Sequence, residues 1–459
     1  MTSTAFSSLP LAKGMLTNLN TLGYTEMTPI QAQSLPLILQ GKDVIAKAST
    51  GSGKTAAFAL GLLHPLNPRY YGCQALVLCP TRELADQVAK EIRRLARGLE
   101  NIKVLTLCGG QPLGPQIGSL EHGAQIVVGT PGRITQHLEK GTLVLDGLNT
   151  LVLDEADRML DMGFYESIEG IIAQTPTRRQ TLLFSATYPS GIKKLAGDFM
   201  REPKHVEVES LHSNLTIQQR FYEIDPSERL DILLRILLSE RPESCVTFCF
   251  TKQQCQDVVD FLQDHGISAM AINGDLEQRE RDQVLVMFAN KSLSVLVATD
   301  VAARGLDIES LDMVINFELA KDADTHIHRV GRTGRAGESG LAISLVAPPE
   351  IRRAQAIEAL QNAPLEWSAL DDVIIRNNRP LTPPMMTLCI SGGRKDKLRP
   401  GDILGALTGD AGLPGSQIGK ISIADFHAYV AVEHAVAEKA LERLSAGKIK
   451  GRSFRVRLL

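Results

Sequence analysis

The amino-acid sequence predicts an α/β protein: two tandem parallel-sheet domains followed by a smaller domain of βαββαβ order. Three observations carry this prediction. Short Val/Leu/Ile runs alternate with amphipathic helical stretches, and continuous apolar strands of this kind fit parallel sheets covered on both faces. The 459 residues are 44% hydrophobic but 5% aromatic, with one tryptophan, Trp367, so the cores must be aliphatic. The charge is also divided. From Met385 to Leu459 there are 12 Lys+Arg against 7 Asp+Glu, a net of +5; the rest holds 37 against 45, a net of -8. The total of -3 excludes a histone-like protein that binds nucleic acid through charge alone.

The first strand–helix rhythm opens with DVIAKA, passes through QALVLCP and the helical TRELADQVAKEIRRLARGL, and closes on HVEVES. It sets a first domain over residues 1–210. LHSNLTIQQR lacks strong periodicity and reads as a connector. The rhythm restarts near Phe221, where SCVTFCFTK leads into CQDVVDFLQDHG, and sets a second domain over 218–375. Two such domains leave a cleft, the usual ligand site of this architecture. RNNRPLTPP, residues 376–384, has three prolines that cannot sit inside a helix or central strand and reads as a linker. Residues 385–459 then read as strand MTLCISGG, helix RPGDILGALTGD, strands QIGKISI and FHAYVAV, helix EHAVAEKALERLSAG and strand SFRVRLL. That is the order of ferredoxin-like and RRM domains. Seven cysteines without CxxC or zinc spacing predict reduced thiols in a cytosol and no structural metal. MTSTAFSSLP has neither a basic n-region nor an apolar h-region, and no 18 apolar residues run together, so neither secretion nor a membrane span is expected.

Three clusters carry chemistry. ASTGSGKT, Ala48 to Thr55, follows a strand and opens a helix. Gly51 and Gly53 let backbone N–H groups converge on phosphate, the helix N-terminus adds partial positive charge, Lys54 would hold the β and γ phosphates, and Thr55 would ligate Mg²⁺. LVLDEAD, Leu151 to Asp157, ends a strand in carboxylates: Asp154 would hold Mg²⁺, and Glu155 would orient and deprotonate a water. THIHRVGRTGR places Arg329, Arg332 and Arg335 at i, i+3, i+6, a self-repelling helical face that needs an anion, with Arg332 and Arg335 as arginine fingers on a γ-phosphate.

At these residues the sequence closely resembles the DEAD-box RNA helicases, over about residues 1 to 375. Motif II is Asp154-Glu155-Ala156-Asp157, Ia is PTRELA, Ib includes Gly109-Gly110 and TPGR, III is Ser185-Ala186-Thr187, and V is ATDVAARGLDI. The resemblance implies two RecA-like domains, ATP and Mg²⁺ as cofactors, and a nucleotide site made of Phe6, Gln31, Ser49, Thr50, Gly51, Ser52, Gly53, Lys54, Thr55 and Asp307. In it Gln31 reads the adenine edge, Phe6 stacks on the base and Asp307 meets the ribose. Arg82, Gly110, Thr130, Arg133, Gly274, Gln278, Arg281 and Thr299 are expected to hold RNA phosphates and sugars without reading bases. Phe250 and Asn273 depart from the family's usual Asn-Thr-Lys and HGD text.

The tail resembles the RNA-binding domain of the DbpA subfamily. This implies 23S rRNA and large-subunit assembly intermediates as partners, with the protein cytoplasmic and monomeric. Its first strand offers no aromatic, and FHAYVAV offers Tyr429 and His427 at sheet positions. Arg394, Lys395, Lys397, Lys448, Lys450 and Arg452, on loops and edges, are therefore the expected contact surface beside Tyr429. A nucleic-acid translocase and an ATP-gated RNA scaffold remain alternatives at this point.

Overall fold

The computed structural model describes residues 4–48, 51–188, 190–208, 217–303, 311–334, 339–375, 377, 379–409 and 412–459. The chain divides into two compact units near residue 213.

In the first unit seven strands form one sheet: β1 (Val44–Lys47), β2 (Ala75–Leu78), β3 (Val104–Leu107), β4 (Ile126–Gly129), β5 (Thr150–Leu153), β6 (Gln180–Ser185) and β7 (Lys204–Glu207). They pair in parallel in the order β3-β4-β2-β5-β6-β1-β7. Helices cover both faces, so β2, β4, β5 and β6 are buried along their whole length, which explains why they read as continuous apolar runs. Successive residues feed opposite cores: Val44 and Ala46 face one, Ile45 the other. Phe58 and Phe184, ring centroids 5.3 Å apart, are among the few aromatics of the first core.

The second unit repeats the device with β8 (Ile217–Glu223), β9 (Cys245–Cys249), β10 (Ala269–Ile272), β11 (Val295–Thr299), β12 (Met313–Asn316) and β13 (Gly340–Val346). The order is β10-β11-β9-β12-β13-β8, again parallel. A separate antiparallel sheet follows, built from β14 (Met385–Ile390), β15 (Ile418–Ile423), β16 (Ala428–Glu433) and β17 (Val456–Leu458) in the order β15-β16-β14-β17. With helices Pro400–Thr408 and Ala437–Ala446 this is the expected βαββαβ domain. Leu388, Ile390, Val430 and Val432 face those helices.

The opposite face of the small sheet packs against the second parallel-sheet domain. Thr387, on that face, is fully buried; its hydroxyl lies 2.7 Å from Ser292 Oγ and accepts from Asn290 Nδ2 at 3.1 Å. The Met385 amide donates to Lys291 O at 3.2 Å, and Arg279 Nη2 lies 3.2 Å from His427 Nε2. Arg241 holds the linker through Arg379 O (2.8 Å) and Pro380 O (3.2 Å). All seven cysteines are buried free thiols. Among the described residues no helix is long and apolar enough to cross a membrane.

His326, in the Ala323–Val330 helix, is buried with Nε2 at 3.1 Å from Gln219 Oε1 and its ring 5.7 Å from Phe221. Burial, helped by the charge of Arg329, pushes its pKa down to about 3. Below pH 6.5 the unfolded chain takes up a proton that the fold refuses, so this contribution to stability is complete above 6.5 and lost on acidification. Between pH 7 and 5 it amounts to about 2 kcal/mol. His326→Gln, which keeps a hydrogen-bonding group but cannot titrate, should lose correspondingly less stability over that interval in urea unfolding of the second unit.

Candidate functional site

Parallel pairing puts the C-terminal ends of all strands of a sheet at one edge, and the sequence-predicted residues of the first unit collect there. After β1 comes the phosphate loop. Gly51 (φ +81°) and Gly53 (φ +93°) are in the left-handed region, which an L side chain resists. Gly53 is also hemmed in: a Cβ would lie 2.5 Å from Gln31 Nε2 and 3.0 Å from Thr28 Oγ1. Lys54, the first residue of the Lys54–Leu63 helix, is buried and donates from Nζ to Ala48 O at 2.8 Å. Thr55 follows it in the helix, and Ser52 is half-buried in the loop. Ser49 and Thr50 lie outside the described residues.

Gln31 and Phe6 each have partners within the first unit. The Gln31 amide accepts from the Thr28 backbone at 2.9 Å and donates to Gly53 O at 3.0 Å, so it fastens the Pro29–Leu39 helix to the phosphate loop. Phe6 is buried, edge-on to Tyr24 with centroids 6.1 Å apart.

Asp154, at the end of β5, is 3% exposed, and burial pushes its carboxyl up to about 7 against the opposing pull of Lys54. Glu155 adopts φ 50°, ψ 52°, left-handed for a non-glycine residue, and its amide donates to Asp154 Oδ1 at 3.1 Å. Such a conformation costs of order 1–3 kcal/mol and persists where the surroundings impose it. Asp157 Oδ2 accepts from the Thr187 amide (3.0 Å) and hydroxyl (2.8 Å), joining the turn after β5 to the turn after β6. A magnesium nucleotide fits this set. The Gly-rich loop and helix N-terminus suit phosphate, and a buried carboxylate such as Asp154 is a fitting Mg²⁺ ligand when phosphates complete the shell. A divalent cation also reverses the penalty that burial places on the Asp154 charge.

The remaining candidates of this unit occupy the other half of the same edge. Arg82 opens the Arg82–Leu95 helix after β2, Gly110 (φ +73°) lies in the turn after β3, and Thr130 caps the Pro131–Glu139 helix after β4. Arg133 is held by Gln111 O (3.1 Å) and Gln116 Oε1 (2.8 Å). With strands about 4.8 Å apart, β1, β6 and β5 carry the phosphate side while β2, β4 and β3 carry the polar, basic side.

In the second unit, Gly274 follows β10 beside the Lys252–Asp275 ion pair, and Asn273 Oδ1 accepts the Asp275 amide at 2.9 Å. Asn273 thus serves as a turn residue. Gln278 opens the Gln278–Ala289 helix and donates to Asp282 at 2.7 Å; Arg281 donates to Ala302 O at 2.7 Å; Thr299 ends the adjacent β11. One expectation is corrected. Arg329 and Arg332 do not share a helical face, because the helix ends at Val330 and Arg332 lies in the turn beyond it. Arg329 is neutralised within its own domain by a two-pronged pair with Asp300 (2.6 and 2.9 Å), supplemented by Asn316 Oδ1 and Glu318 O. Asp307 and Arg335 lie outside the described residues. Phe250 donates its amide to Glu318 Oε2 at 2.7 Å, and its ring lies 5.3 to 5.8 Å from Arg353, Lys321 and Arg329.

On the tail, Lys450 donates to Lys397 O at 2.9 Å and stands 3.7 Å from Asp402, which joins the loop of Lys448, Lys450 and Arg452 to that of Arg394, Lys395 and Lys397. Tyr429 is 7% exposed, on the sheet face turned toward the second parallel-sheet domain. Phe426, which no sequence motif marks, is 65% exposed.

The DEAD/DEAH box helicase family matches residues 28–195, the Helicase conserved C-terminal domain residues 228–337, and the DbpA RNA binding domain residues 387–458. Among curated relatives, the ATP-dependent RNA helicase DbpA of Escherichia coli is 57% identical over 99% of this chain and 100% of its own length. The DEAD-box ATP-dependent RNA helicase CshA of Geobacillus kaustophilus is 43% identical over 79% of this chain and 78% of its own. Among solved structures, Saccharomyces cerevisiae Dbp5 bound to RNA and ADP BeF3 is 29% identical, with TM-score 0.73 over 81% of this chain and 97% of that one.

The close fit around Gly53 gives a test. Gly53→Ala needs a left-handed alanine and drives a methyl into the Gln31 amide, a local cost of about 1–2 kcal/mol or more. Affinity for ATP, followed by calorimetry, should fall at least about tenfold, while the thermal unfolding midpoint should move only slightly.

Proposed function

Because the chain belongs to the DEAD-box family of ATP-dependent RNA helicases, we propose that it couples ATP hydrolysis to local opening of rRNA duplexes during assembly of the large ribosomal subunit. In this reading the C-terminal domain brings it to 23S rRNA, and the protein acts as a cytoplasmic monomer. The observation that supports the core of this reading most directly is the division of one sheet edge into a phosphate half and a polar, basic half, joined by the Asp154 to Asp157 turn. The match of residues 387–458 to the DbpA RNA binding domain supports the addressing role of the tail.

The chain's own groups then divide the work. The phosphate loop and Lys54 bind and orient the β and γ phosphates. Thr55 and Asp154 would hold Mg²⁺, which would neutralise charge on the phosphates. Glu155 takes the proton of the attacking water. Arg332 and Arg335 approach the γ-phosphate when the two helicase domains close, and stabilise the charge that spreads over its oxygens. Arg82, Gly110, Thr130 and Arg133 of the first domain, with Gly274, Gln278, Arg281 and Thr299 of the second, hold RNA backbone. If both ligands favour the closed state, each raises the affinity of the other by the same factor. A strand bent to fit both sets cannot remain paired, so opening is local.

Glu155→Gln should bind ATP and RNA together yet turn over about 10² to 10⁴ times more slowly, the range of a lost general base. Single-turnover hydrolysis with RNA present measures this, and wild-type turnover would remove Glu155 from the role. In the full-length protein, replacing Arg394, Lys395, Lys448 and Arg452 by serine should leave ATPase activity at saturating arbitrary RNA near wild type. Stimulation by a 23S rRNA hairpin fragment should fall to that of a scrambled RNA of equal length. The log-log salt slope of binding should shrink by about 0.7 to 0.9 for each phosphate no longer neutralised.

A further inference from the structure

RNA-binding domains of this strand order commonly stack bases on sheet aromatics. That face is closed in this protein. Thr387, Cys389, Tyr429 and Ala431 are 0%, 3%, 7% and 1% exposed, under residues of the second helicase domain that include Arg279, Asn290 and Ser292. If the domain reads an unpaired base, the aromatic surface must lie elsewhere.

One ring on the domain is placed for it. Phe426 sits in the turn between β15 and β16, and it is 65% exposed in a chain where most aromatic rings are covered. Its turn is closed by Ala424 N donating to His427 O at 2.8 Å. It is also fastened to the basic loop after β14: the Arg394 amide donates to Ala424 O (2.8 Å), the Lys395 amide to Asp425 O (3.0 Å), and Arg394 Nε reaches Asp425 Oδ1 (3.0 Å). Gly393 makes this approach possible, since a Cβ there would lie 2.4 Å from Ala424 O and 2.6 Å from Asp425 O. The Arg394–Asp425 pair is mostly exposed, so it leaves the guanidinium available to a phosphate at little cost. Lys450, bonded to Lys397 O, brings the third basic loop to the same group.

We propose that Phe426 is a stacking platform for an unpaired RNA base, with Arg394 and Lys395 on the loop fastened to it taking the neighbouring phosphates. A ring held on a short, doubly tied turn loses little freedom on binding, and base–aromatic stacking contributes about 1–3 kcal/mol. The inference rests on the tail being the RNA-binding domain, and the experiment separates the two ideas.

Full-length wild type, Phe426→Ala, Phe426→Leu, Phe426→Trp and the Arg394→Ser, Lys395→Ser double variant are titrated with two RNAs. One is a stem closed by an unpaired loop; the other is the same stem as a blunt duplex. Phe426→Ala and Phe426→Leu should bind the stem-loop about 5- to 150-fold more weakly and the duplex as wild type does, because only the stem-loop offers a free base. Phe426→Trp should retain stem-loop affinity, and its added fluorescence should be quenched by the stem-loop and not by the duplex. The double variant should weaken both. Stem-loop affinity unchanged in Phe426→Ala, with the double variant impaired, overturns the stacking site and leaves the tail an RNA binder. Both RNAs unaffected by the double variant and by Phe426→Ala overturns the reading of the tail as well. Equal loss of stem-loop and duplex binding in Phe426→Ala also overturns the proposal, since it signals a distorted loop in place of a missing stack.

Discussion

One buried carboxylate, Asp154, opposed electrostatically by the buried Lys54 ammonium, shapes the candidate site of the first unit. Asp154 sits at the end of a strand covered on both faces, and that burial makes its charge expensive enough to lift its pKa to about 7. Lys54 opposes the penalty without removing it, and is itself bonded to a backbone carbonyl of its own loop. A cation and a carboxylate so placed suit a ligand that carries both signs, as a magnesium nucleotide does. Glu155 leaves the strand in a left-handed conformation, and Asp157 ties the turn after β6 through two hydrogen bonds from Thr187.

The second unit resolves its buried charge internally. Arg329 is 2% exposed and could not remain so without the carboxylate of Asp300 and the oxygens of Asn316 and Glu318 around it. Removing one partner of such a pair strands the other and typically costs several kcal/mol. The aromatic rings of Phe248 and Phe250, 4.9 and 5.8 Å from the Arg329 guanidinium, add their own attraction. Phe250 thus replaces the expected asparagine with a ring that cations surround, a change of contact chemistry that leaves the strand end in place.

The parallel sheets, their order in the chain, the phosphate loop and the carboxylate turn were legible in the sequence because each is a local pattern. Apolar runs mark buried strands, paired glycines mark left-handed turns, and acidic residues at a strand end mark the edge where ligands bind. What escaped depends on contacts distant in sequence. The i, i+3, i+6 arginines look like a helical face until Val330 ends the helix, and the partner of Arg329 is 29 residues away at Asp300. Gln31 also fastens two elements, which sequence alone does not show: its amide bonds to Thr28 and Gly53. Tyr429 has the right strand position for stacking, and only packing between domains shows that its face is covered. Phe426 failed to register because an aromatic between two strands has no periodic signature.

Covering the small sheet also links the helicase core to its tail through one helix. Gln278 and Arg281 lie one turn apart at the start of the Gln278–Ala289 helix, and Arg279 lies about 100° around from Gln278. The first pair belongs to the group expected to hold RNA backbone; Arg279, with Asn290 and Ser292 just past the helix end, meets the tail. Twelve residues span about 18 Å, so a single rigid rod carries both contacts. The tail loops and the β10 and β11 ends are therefore fixed relative to each other within this unit. A flexible tether would leave the two free to reorient, whereas this helix and its contacts hold them in one arrangement.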